Sequence, residues 1–177
     1  MKTACLSALL AGAALLGGVS AASAQTEVSN IGWELSSLAG KTRAPFAPVT
    51  ELRASPDINF TDNLRAIITL HNPAAKPVEG LVLRYALTLR LLKNGDAPEK
   101  AFWGVPFYVE ELRVTKIGPK AERQTKVIHF DLPGQLRQLR SSGFVPTAMK
   151  LEIMVCPRQG DEPAAIMRSA VIEILKP

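Results

Sequence analysis

The chain predicts an all-β, antiparallel two-sheet sandwich with one short helical connection. Apolar residues recur at every second position in about seven or eight segments, the spacing of strands with one buried face. Proline, glycine, asparagine and aspartate separate those segments at short intervals. Strands do not alternate with helical patterns, which argues against a parallel sheet.

The elements begin after a leader. Lys2, the uncharged run Ala4 to Leu16 and the small residues ending Ala22-Ser23-Ala24 have the three-part layout of a secretory signal peptide. Cleavage after Ala24 is expected to leave Gln25 first. Gly17, Gly18 and Ser20 keep the apolar run shorter than the ~20 residues of a membrane span. Cys5 lies at the start of the run rather than after it, so it is not the lipid-bearing cysteine of a lipoprotein. The expected organisation is a signal peptide at 1–24, an N-terminal arm and proline-bearing linker at 25–56, and a β-sandwich domain at 57–177. The protein is expected in the periplasm or outside the cell. No later apolar stretch is long enough for a transmembrane segment.

In the arm, Ile31, Trp33 and Leu35 alternate as in a strand, and Pro45 and Pro48 impose an extended course. The large apolar Trp33 implies that this arm covers apolar surface of the sandwich. Leu64, Ala66, Ile68 and Leu70 then share one parity, with Arg65, Thr69 and His71 on the other. The strongest strand is LVLRYALTLRLL. Leu81, Leu83, Tyr85, Leu87, Leu89 and Leu91 fall at every second position, and Arg84, Thr88 and Arg90 lie between them. Leucine favours helices, but the helical face Leu81, Arg84, Tyr85, Thr88 mixes polar with apolar residues, so the period of two prevails.

Asn94-Gly95 marks a turn. AFWGVPFYV is apolar on both parities, and Pro106 confines it to a sheet edge or a break. ELRVTKI and KVIHFDL are short alternating strands. Pro133 to Gly143 has Leu136 and Leu139 three apart, a proline near its start and a glycine at its end, which fits one or two helical turns. Two strands close the chain. The first turns Met149, Leu151, Ile153 and Val155 inward. AIMRSAVIEIL is apolar on both parities around Ala170 to Ile174, as for a strand covered on both sides. In general style the layout resembles an immunoglobulin or fibronectin type III sandwich, without the paired cysteines and central tryptophan of antibody-type domains.

Loss of the leader leaves 153 residues, one domain's worth, with a core that needs no metal or disulfide. Twenty basic residues then face 16 acidic ones. That diffuse surplus suits a solvated surface rather than a nucleic-acid or anionic-membrane partner. Cys156 is the single mature cysteine, expected as a small buried residue or as a thiol available to a partner.

Chemistry is sparse. His71 and His129 are the only histidines, far in sequence from Cys156 and without a local motif, so no catalytic residues are assigned. Gly40-Lys41-Thr42 lacks the earlier glycine of a phosphate-binding loop, where Leu35 stands instead. Asn59-Phe60-Thr61 fits the glycosylation acceptor pattern. No cofactor or metal ligand set is assigned, although Met149, Met154, Cys156 and Met167 are soft donors that would favour Cu(I).

The feature above background is the segment 102–108, where four of the ten aromatics fall. Phe102, Trp103, Phe107 and Tyr108 form the candidate binding surface, since adjacent residues of an extended segment point to opposite sides. The expected function is a non-enzymatic exported β-sandwich acting as a binding, accessory or assembly component of the cell envelope. Its partner is another envelope protein or a glycan. The alternatives are a carbohydrate-binding module with an aromatic platform at 102–108 and a periplasmic metal carrier.

Overall fold

The computed structural model describes residues 26–39, 41–53, 63–128, 132–156 and 161–175. The leader, the 56/57 boundary, the Asn59 triplet, Gly40 and His129 lie outside these residues.

The period-two segments build two sheets. Glu27–Ser36 (β1), Ala47–Val49 (β4), Asn63–Asn72 (β6) and Ala121–Ile128 (β10) form an antiparallel sheet in the order β10-β6-β1-β4. Glu51–Arg53 (β5), Met167–Leu175 (β12), Phe144–Val155 (β11) and Val78–Lys93 (β7) lie side by side in that order in the second sheet. Phe102–Trp103 (β8) and Tyr108–Ile117 (β9) share the far edge of β7. Leu38–Ala39 (β2) and Thr42–Arg43 (β3) make a small ribbon. The protein is an all-β two-sheet sandwich.

The arm is an integral part of it. β1 pairs along its length with β6 and at its end with β4, so Trp33 sits beneath the sheet at 8% exposure. At Thr50 the chain then changes sheets, and β5 pairs parallel with the last strand, β12. The arm therefore covers core surface within its own chain. It does not lie over the 102–108 edge.

Alternating leucines meet between the sheets. Leu83, Leu87, Leu151 and Ile172 oppose Ile68 and Leu70, all buried. Each such side chain contributes roughly 1.5–3 kcal/mol through removal from water. The helix is longer than its sequence spacing predicts. Leu132–Ser141 (α1) spans ten residues and buries Leu132 and Leu136. Gly143 follows with φ +79°, a left-handed conformation that glycine adopts without a Cβ clash and that stops the helix.

Two other readings are corrected. The last strand starts at Met167, because Pro163–Ile166 (α2) forms a single helical turn. Its outer parity is open rather than covered, since Val171 is 46% exposed. Thr88, expected in solvent, is 2% exposed. The Lys150 side chain reaches diagonally across β7 toward Trp103, and Thr88 lies beneath that crossing.

Candidate functional site on the outer face of the second sheet

With odd-numbered leucines of β7 turned into the core, the even-numbered residues face outward. Register carries the same face across the sheet. Glu111 of β9, Arg84 of β7, Met154 of β11 and Met167 of β12 form one row, and Val109, Ala86, Glu152 and Ser169 form the next. All of these but Glu111 line a shallow groove of about 310 Å³. Its floor is apolar. Val109 at 68% and Met167 at 52% exposure stand at opposite rims.

Three ion pairs surround the groove, and its remaining charged lining residue, Arg168, donates its Nε–H to the Val28 carbonyl at 3.2 Å. Arg84 Nε lies 2.6 Å from Glu111 Oε1, and this hydrogen bond holds the guanidinium more firmly protonated than usual. Lys150 Nζ is 3.0 Å from Glu152, and Arg90 Nη2 is 2.6 Å from Glu173. An apolar floor ringed by satisfied ion pairs can accept apolar side chains without stranding a charge.

The four sequence-predicted aromatics are not brought onto one face. Trp103 points outward beside the groove, with the Arg90 guanidinium 5.8 Å and the Lys150 ammonium 5.1 Å from its ring centre. Phe102 points the other way and meets Phe144 edge-on at 6.1 Å. Phe107 and Tyr108 are half-buried against the core rim, where Tyr108 lies 5.9 Å from the Tyr85 ring. Between Trp103 and Tyr108 the strand breaks, as Pro106 requires. Gly104 and Phe107 donate their backbone N–H groups to Leu89 and Leu87, and the residues between them loop out.

Both tyrosine hydroxyls donate to Oε2 of Glu110, that of Tyr85 at 3.1 Å. Burial, followed by hydrogen bonds to Tyr108 and Glu110, pushes the Tyr85 phenol well above its ordinary value. The Tyr108 phenol is raised too, chiefly by its bond to Glu110. At neutral pH both remain protonated donors that close the rim of the core.

His71 lies on the first sheet, 3.9 Å from Glu27, whereas Cys156 follows β11 on the second, so the two are not brought together. Cys156 is a half-buried free thiol beside Arg84. Sequence reasoning overlooked Val109 and Ala86 and read Met167 only as a soft metal donor. Parity marks all three as outward, but only register shows that they adjoin. No known protein family matches the chain, and no curated protein shows significant similarity to it.

Proposed function

We propose that the protein is a non-enzymatic, exported binding component of the cell envelope that engages a partner protein through the outer face of its second sheet. One observation carries this reading: large apolar side chains, Val109 and Met167, stand exposed around an apolar groove whose charged neighbours are already ion-paired or, for Arg168, hydrogen-bonded to a backbone carbonyl. Exposed contiguous apolar surface on a soluble fold marks an interaction site. The partner is an envelope protein presenting an apolar anchor side chain. The test places a photo-crosslinking residue at Val109 or Met167 in cells, with Gln124 on the other sheet as control. One common adduct from both groove positions is expected, lost from position 109 in a Met167→Glu background and from position 167 in a Val109→Glu background. Equal labelling from Gln124, or turnover by the purified protein that is lost on changing His129 or Cys156, overturns the reading.

The glycan alternative has less support, because the four aromatics face different sides. Saturable calorimetric binding of an envelope glycan, abolished by Trp103→Ala, would restore it. A soft-metal carrier is favoured by one observation. Met154 and Met167 are cross-strand neighbours, and Cys156 lies two residues beyond Met154. Thioethers beside a thiol match Cu(I). Competition against a chromophoric Cu(I) chelator, with and without Met167→Leu, decides it.

A further inference from the structure

We propose that the free edge of β9 is a homodimer seam, in which two copies pair β9 with β9 antiparallel about a two-fold axis at Leu112. The second sheet of each copy then continues into the other. This inference goes beyond the groove reading and does not depend on it.

The edge is long and open. Among the described residues β9 pairs only with β7, whereas the strands at the opposite edges of the two sheets, β4 and β5, have three residues each. The remaining long edge, β10, is crossed by its own Arg123, whose Nη1 donates to the Lys116 carbonyl at 2.7 Å. That contact also ends the free run of β9 at Thr115. The Cys156 N–H donates to the Val82 carbonyl and the Phe107 N–H to the Leu87 carbonyl, so even-numbered backbone groups of β7 face β11 and odd-numbered ones face β9. By register Glu110, Leu112 and Val114 turn their backbone groups toward β7, and those of Val109, Glu111, Arg113 and Thr115 point outward.

Those four outward residues limit the allowed registers, because outward-pointing groups must face one another. Two-fold pairing must therefore centre on a residue, and charge chooses which. Centring on Glu111 opposes Glu111 to its own copy, and centring on Arg113 opposes two arginines. Centring on Leu112 sets Glu111 against the partner's Arg113, twice by symmetry. It also opposes Leu112 to the partner's Leu112 on the inner face, and Val109 to the partner's Thr115 on the outer one. Like charges directly opposite one another are unfavourable in a sheet, and opposite charges are favourable. The span from Val109 to Thr115 is symmetric about Leu112, so this register uses the whole free run. Charges on an edge normally discourage pairing; here their order favours the one register that uses the whole free run. Among the described residues Arg113 has no ion-pair partner in its own chain, so its charge is available to a second copy.

Sedimentation of the purified protein across micromolar to submillimolar concentrations tests the seam. The wild type is expected to show a concentration-dependent monomer–dimer equilibrium. Arg113→Glu and Glu111→Arg are each expected to weaken it by about tenfold or more, since each replaces two attractive pairs by two repulsive ones. An equimolar mixture of the two variants is expected to recover dimer, because every opposed pair is again of opposite sign. A wild type that stays monomeric throughout, or an Arg113→Glu variant that dimerises as well as wild type, overturns the proposal. A mixture of folded variants that fails to recover dimer overturns it too. Circular dichroism establishes folding. Glu111→Arg also removes Arg84's partner, so if that variant misfolds, Arg113→Glu alone decides.

Discussion

The guanidinium of Arg65 lies 3.7 Å above the ring of Phe46, and its Nη2 is 2.6 Å from Glu34. Phe46 belongs to the proline-bearing crossing, Glu34 to β1 and Arg65 to β6, so one side chain clamps three segments. The pair is shielded, with Arg65 and Glu34 side chains 17% and 24% exposed. A double-mutant cycle of Arg65→Ala and Phe46→Ala is expected to return a coupling of about 0.5–2 kcal/mol from urea denaturation. Strict additivity would mean that the crossing is held by its prolines alone.

Asn72 is fully buried, and its side chain joins two turns. It donates to the carbonyls of Lys76 at 2.9 Å and Gly118 at 2.8 Å and accepts from the Ala74 N–H at 3.0 Å. Asn72→Ala leaves those groups short of partners and is expected to destabilise by about 2–4 kcal/mol. A change in the urea midpoint within error would show that the turns hold themselves.

Leu87 lies mid-strand at 2% exposure. Leu87→Ala is expected to cost roughly 2–5 kcal/mol through lost burial and a residual cavity. Arg84→Ala, on the opposite face of the same strand, should leave the midpoint nearly unchanged, because its ion pair is solvated. Equal effects would contradict the inward and outward parities of β7.

Deletion of residues 25–48 removes β1 and most of β4. Since β1 is an interior strand that buries Val28 and Trp33, the truncated chain is expected to lose cooperative folding and to bind a hydrophobic dye. Retention of a sharp thermal transition would mean that the remaining strands close without it.

The Tyr85 phenol is raised above its ordinary 10.0 in the folded protein. Its contribution to stability is therefore complete below about pH 10 and is lost as pH climbs from there toward the higher folded value. Urea midpoints measured from pH 8 upward should fall beyond about pH 10, and less steeply in Tyr85→Phe. Parallel declines in both proteins would assign the loss to other groups.

Strand positions and inward faces were legible in the sequence wherever one face meets the core and the other meets water. Leu81 to Leu89 and Leu64 to Leu70 are such cases, because alternation in composition maps directly onto alternation in direction. The break at Pro106 was legible for the same local reason, a missing backbone donor. What only the tertiary structure decided is which strands adjoin and which faces stay open. The arm's place inside the first sheet depends on β6 as its neighbour, and no residue of the arm encodes that alone. Apolar residues on both parities make Val171 read as covered, yet among the described residues no layer packs over it. Met154 and Met167 face each other across two strands and Val109 stands on the opposite rim of the same groove, and only hydrogen-bond register places the three on one face. Pairing is a property of two segments at once, so a pattern read along one segment can supply its face but not its partner.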